Sequence, residues 1–133
     1  MTFSARTSVS DLPRGHEFPS TSFTLSAEQI SAYLAAVGDT IDYGDSVPPL
    51  AAVALGLREL QEHLSLPDGA LHTGQEVEHA GLLRVGVPLT LTGRVAQRSE
   101  RQGMVISVIE FDVTAGGGAV HARTTIMAPA ARA

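Results

Sequence analysis

The sequence contains no cysteine and no lysine. Without cysteine, disulfides, thiolate metal sites and thiol nucleophiles are all excluded. All nine cations are arginine, they face 14 acids, and the net charge is −5. No segment gathers into a basic patch, so general nucleic-acid binding, which depends on Lys/Arg–phosphate contacts, is not expected. One or two arginines would still suffice for a single phosphate-bearing ligand. No apolar run approaches the ~18 residues that suggest a membrane-spanning helix. The first residues lack the basic and apolar regions of a signal peptide, so a cytoplasmic location and no membrane partner are expected. Internal repeats and low-complexity stretches are also missing.

What is present is a chain of 133 residues with 44% hydrophobic content, enough for one domain around one core. Residues 1–15, rich in Ser and Thr and containing Pro13 and Gly15, read as a flexible N-terminal arm. Residues 16–133 read as a single domain. Residues 16–25 suggest a first strand weakened by Pro19. Ser26 and Gln29 stand at the spacing of a capping box. Ile30, Tyr33, Leu34 and Val37 continue at helical spacing, and Gly38 suits the residue after the helix.

A second helix is announced by Pro48 and Pro49, which fit a first turn. Leu50, Val53, Ala54, Leu57, Leu60 and Leu64 recur at 3–4 spacing, which predicts a core-facing stripe. Ala51, Ala52 and Gly56 lie off that stripe and are small, so the helix is apolar on most sides and is expected to be wrapped by other structure. The second half reads as four long antiparallel strands, at 69–80, 88–99, 104–115 and 119–128, separated by turn signals. Val105, Ile109, Phe111 and Val113 share one face of the third; Glu110, Asp112 and Thr114 share the other. Strand, helix, long apolar helix and four strands is the order of an α+β hot-dog fold, a curved antiparallel sheet wrapped around one helix.

Within that order, Tyr33-Leu-Ala-Ala-Val-Gly-Asp39, Val47-Pro-Pro-Leu50, Leu71-His-Thr-Gly-Gln-Glu-Val77 and Leu83-Arg-Val-Gly86 resemble the MaoC-like hydratase/dehydratase family. The likeness is closest to its N-terminal, fatty-acid-synthase-type dehydratase domains, and it runs from about Phe18 to Pro129. It implies a dimeric hot-dog protein acting on acyl thioesters of coenzyme A or an acyl-carrier protein, with no cofactor and no metal. In catalytic members a Gly-Asp, an Asn-Pro and a histidine activate water for addition to a 2-enoyl thioester. Gly38-Asp39 matches; Ile41 and Asp42 stand at the Asn-Pro, and Gly44 at the histidine. Only Asp39 carries over. The resemblance therefore also implies an alternative, a non-catalytic subunit paired with a histidine-bearing hot-dog chain.

Hydration needs a base effective near neutral pH. An ordinary Asp, with a pKa near ~3.9, is too weak. Burial or the neighbouring carboxylates of Asp42 and Asp45 would have to raise the pKa of Asp39. Tyr43 could donate a hydrogen bond to a substrate oxygen. His72 is the first substitute imidazole considered; Gln75 and Pro49 are candidate substrate contacts. Strand alternation puts His72 with Glu76 and Glu78, and Gln75 with Val77 and His79, so His72 and Gln75 oppose each other unless a bulge intervenes. His63, His79 and His121 are weaker candidates. Two His and two Glu within 72–79 do not have zinc-site spacing. Arg84 and Arg123 could contact phosphates of the thioester carrier. A thioesterase is a third reading, disfavoured because residues 48–55 hold no acid for the first turn of the central helix.

Overall fold

The computed structural model describes residues 6–130. Its elements are β1 (Thr7–Ser8), β2 (Thr21–Phe23), α1 (Ala27–Val37), α2 (Pro49–Leu60), β3 (Leu64–Ser65), β4 (Leu71–Gly81), β5 (Leu89–Arg101), β6 (Met104–Ala115) and β7 (Gly118–Pro129). Five strands form one antiparallel sheet in the order β2-β5-β6-β7-β4, and α2 packs against β4, β6 and β7. This is the hot-dog arrangement. Among the described residues no helix is long and apolar enough to cross a membrane.

Local chemistry accounts for the helix ends. Ser26 Oγ accepts from the Gln29 N–H, while Gln29 Oε1 accepts from the Ser26 N–H. That reciprocal pair satisfies two donors which the first helical turn leaves without partners. At the other end Gly38 adopts φ +72°, a left-handed conformation that closes α1. The predicted first strand shrinks to three residues. Pro19 has no N–H to donate, and before it only Glu17 bridges to Arg94.

The inner face of the sheet follows simple alternation. Val105, Ile109, Phe111 and Val113 are buried, as are Val120, Ala122, Ile126 and Ala128 on the neighbouring strand. Each of the Val, Ile and Phe side chains contributes roughly 1.5–3 kcal/mol when moved fully from water into the core.

Two expectations are corrected. Residues 6–15 are not a loose arm: β1 pairs in parallel with β3, and Val9 and Leu12 are buried. The Ser-rich composition concealed these two apolar plugs and the use of its hydroxyls. Ser8 accepts from the Ser10 N–H, and Ser10 Oγ donates to the Pro129 carbonyl at 2.7 Å. Residues 1–5 of that arm lie outside the described residues.

The buried face of α2 also differs. Ala51, Ala52, Val53, Gly56 and Leu60 are buried, while Leu50 is 56% exposed, Ala54 faces solvent, and Leu64 belongs to β3. The reason is closeness. A Cβ at Gly56 would stand 3.1 Å from Val113 Cγ2 and 3.3 Å from Phe111 Cε2. The helix rests on the sheet through its smallest residues, and its bulkier stripe is turned partly outward. Wrapping is therefore incomplete within one chain.

Candidate active site

The segment from Gly38 to Pro48 links the two helices and carries the acids. The turn at Gly38 returns the chain at once: the Asp39 N–H donates to the Leu34 carbonyl at 2.9 Å. Asp39 then folds the following residues around its own carboxylate. Oδ1 accepts from the Ile41 N–H at 2.9 Å, and Oδ2 accepts from the Tyr43 hydroxyl at 2.6 Å. Asp42 forms the next small turn, Oδ1 accepting from the Gly44 N–H. Backbone bonds then tie the segment to residues 83–85: Val47 N–H to the Leu83 carbonyl and Val85 N–H to the Asp45 carbonyl.

These bonds set the electrostatics. The Tyr43 hydroxyl, and secondarily the Ile41 N–H, hold the Asp39 carboxyl below the usual carboxylate range, and its modest burial opposes them weakly. The same bond to Asp39, helped by partial burial and the negative charge, pushes the Tyr43 phenol up. Asp39 is thus a fixed anion at neutral pH and Tyr43 a fixed neutral donor. The Asp39 carboxyl is lowered, where action as a base would need it raised, and the Tyr43 proton is directed at Asp39.

Asp39 and Tyr43 border a cleft of about 560 Å³. Tyr33 and Val37 of α1 line it together with Pro48, Pro49 and Leu50 at the start of α2. Val77 and His79 of β4 complete the lining. The walls are mostly apolar, and the volume falls in the range of small-molecule sites, roughly 300–1,000 Å³. Asp42, Gly44 and Asp45 line a neighbouring depression of about 410 Å³ against α1 and Val85, which shares Tyr43 with the cleft. Neither the Asp42 nor the Asp45 carboxylate lines the Asp39 cleft.

Pro49 lines this cleft with Asp39 and Tyr43, and three other candidates, His72, Gln75 and Arg84, do not. A bulge between His72 and Gly74 restores His72 to the face of Gln75: His72 is opposite Ile126 and Gln75 opposite Thr124, both buried inner-face positions. The pairing that alternation forbade is thus allowed, yet neither residue lines the Asp39 cleft. Arg84 makes an ion pair with Asp45 at 2.9 Å, with side chains 56% and 74% exposed, and it borders a different surface hollow. His79 is the residue the sequence undervalued. Its position two residues after Val77 on the inner face was readable; that it would line one cleft with α1 and the loop was not.

A row of charged groups sits on the outer face of the sheet. Arg94, Glu110, Arg123 and Glu76 lie side by side across β5, β6, β7 and β4 with alternating sign. Glu110 Oε1 is 3.5 Å from Arg94 and 3.6 Å from Arg123. His121 Nδ1 is 2.8 Å from Asp112 Oδ1. Arg123 and His121 are thereby occupied on the side opposite the cleft. Among the described residues no group of three or more His, Asp or Glu is arranged to hold a metal ion.

No protein-family model matches the chain, and no curated protein matches it in sequence. Solved structures do. A MaoC-like dehydratase from Rhodospirillum rubrum superposes with a TM-score of 0.71 at 17% identity, covering 94% of this chain and 98% of that one. An unliganded R-hydratase from Pseudomonas aeruginosa gives 0.67 at 17% identity, with 95% and 88% covered. A chain of the HadBC 3R-hydroxyacyl-ACP dehydratase complex of Mycobacterium tuberculosis gives 0.65 at 20% identity, with 86% and 96% covered. At these identities the likeness establishes the fold, the hot dog of MaoC-like hydratases and dehydratases.

Proposed function

We propose that this chain binds an acyl thioester of coenzyme A or an acyl-carrier protein in the Asp39 cleft and catalyses reversible hydration of its 2-enoyl group. The observation that carries this reading is the locked Asp39 carboxylate, held charged by Tyr43 and Ile41 at the edge of a largely apolar cleft. An anion fixed in place before substrate arrives can stabilise positive charge that develops during proton transfer, without reorganising at that moment. The apolar walls, Pro49 and Leu50 among them, suit an acyl chain. The hydratases and dehydratases that share the fold support the same class of reaction.

The reading includes a second hot-dog chain, identical or different. Strand β4 is an edge of the sheet, and its residues are exposed throughout except Val77, which is half-buried. An unpaired edge of 11 residues is a template for pairing with another strand. Leu50 and Leu71, 56% and 58% exposed, lie on or near that side, since α2 packs on β4.

One observation favours a second reading, a subunit that shapes the acyl site while a partner performs the chemistry. Gly44 carries no side chain at the position where the resemblance expects an imidazole, and both Asp39 oxygens already accept hydrogen bonds. A thioesterase gains nothing from the structure, because the first turn of α2 holds no acid.

Hydration of a short 2-enoyl-CoA by the purified protein and by Asp39→Asn tests the choice. Activity in the wild type that falls at least ~10²-fold in the variant supports the enzyme. Activity seen only after addition of a second hot-dog chain supports the subunit. Equal activity in wild type and variant contradicts the site.

A further inference from the structure

Hydration at this cleft requires a group that takes a proton from water and returns one to carbon near neutral pH. Both Asp39 oxygens already accept hydrogen bonds, from the Ile41 N–H and the Tyr43 hydroxyl, which lowers its carboxyl and makes it a weak base, and the Tyr43 proton is directed at Asp39. The remaining titratable side chains of the cleft are Tyr33 and His79. A phenol ordinarily titrates near pH ~10.

Of the chain's five histidines, the structure excludes four by position. His16 stacks edge-on against Phe18 beside β5, its carbonyl accepting from the Val95 N–H. His63 follows the C-terminal end of α2, about 18 Å along that helix from the cleft at its start. His72 lies seven residues down β4 from His79, roughly 20 Å away. His121 faces Asp112 on the outer side of the sheet. His79 pairs in register with Val120, whose side chain is buried, so it projects on the inner face, and it lines the same cleft as Asp39.

We propose that His79 is the catalytic imidazole of this cleft, facing the Asp39–Tyr43 pair across the bound thioester. The inference rests on the hydratase reading. In the forward direction His79 removes a proton from water, and the hydroxide oxygen bonds to C3 of the enoyl group. The π electrons of C2=C3 move onto C2 and the thioester oxygen. The imidazolium then returns its proton to C2. The sum is addition of H and OH across one double bond, with nothing oxidised or reduced. Asp39 does not exchange a proton; its charge steadies the imidazolium.

The test uses the full chain, with crotonyl-CoA as the probe. His79 is exposed, so His79→Ala should fold normally, with an unchanged circular dichroism spectrum. Its kcat is expected to fall about 10²-fold or more with little change in KM, and free imidazole added to the buffer should restore part of the rate. His63→Ala should retain wild-type kinetics. An active wild type with His79→Ala equally active would overturn the assignment of His79 while leaving the hydratase reading intact. A loss in His79→Ala that free imidazole does not restore, with KM raised instead, would make His79 a binding contact and also overturn it. A wild type with no hydration activity would overturn the hydratase reading, and this inference with it.

Discussion

Replacing Gly56 by valine should loosen the contact on which the whole site is mounted. Gly56 is a point of close approach between α2 and β6. Its missing Cβ would already lie 3.1 Å from Val113 Cγ2 and 3.3 Å from Phe111 Cε2, and both partners are fully buried. Alanine at this position gains about 1 kcal/mol in helix propensity and loses a similar amount to crowding, so its net effect should be near zero. Valine adds two methyl groups beyond that Cβ and gains less propensity. Overpacking of this kind costs typically 1–3 kcal/mol. For a chain of this size that corresponds to a lowering of Tm by roughly 3–10 °C. The helix start carries Pro49 and Leu50, so a helix lifted off the sheet should also bind acyl-CoA more weakly. Thermal and urea unfolding at one fixed protein concentration would measure the first effect and calorimetric titration with an acyl-CoA the second. A Gly56→Val protein that unfolds at the wild-type temperature would refute the close helix–sheet contact and with it the explanation of why α2 buries its small face.

Three other outcomes are expected. Tyr43→Phe removes the principal donor to Asp39, so the Asp39 carboxyl should titrate at higher pH, closer to an ordinary aspartate, in a carboxyl-carbon NMR titration. The sign for stability follows: a lowered carboxyl stabilises the fold above the ordinary carboxylate range and loses that contribution as pH falls through its folded value, so Tyr43→Phe should weaken the dependence of stability on pH below about pH 4. Arg84→Ala breaks an exposed pair and should change stability by less than about 0.5 kcal/mol, with acyl-CoA affinity unaltered because Arg84 lies outside the cleft. Leu50→Glu places a charge on the exposed side of α2 next to β4 and should shift sedimentation toward the monomer; an unchanged sedimentation coefficient in a protein that self-associates would count against that surface as the interface.

The sequence made the elements legible and left their faces ambiguous. The limits of the four long strands agree to within one or two residues because Gly and polar turns punctuate them, and the Ser26–Gln29 box and Gly38 closure are local chemistry that spacing alone reveals. The face of α2 was read as the larger side chains, since periodicity counts apolar residues and not how near a sheet must come. Ala52 and Gly56 look like gaps in a stripe and are in fact the contact. The fate of His72 depended on a single bulge, which alternation cannot foresee. Asp39 and Tyr43 were each visible as candidates, but their mutual hydrogen bond is a property of the loop's path; it lowers the Asp39 carboxyl, where action as a base would need it raised, and turns the Tyr43 proton to Asp39. His79 needed the sheet order, which alone brings β4 to the same cleft as the loop between the helices.

The most direct test of the account is amide chemical-shift mapping of the protein with a saturated acyl-CoA that cannot be hydrated. The account predicts perturbations concentrated at Tyr33, Asp39, Tyr43, Leu50, Val77 and His79, the lining of one cleft. Perturbations centred instead on the outer face, around Glu17, Arg94 and Glu110, or no perturbation at saturating ligand, would contradict it.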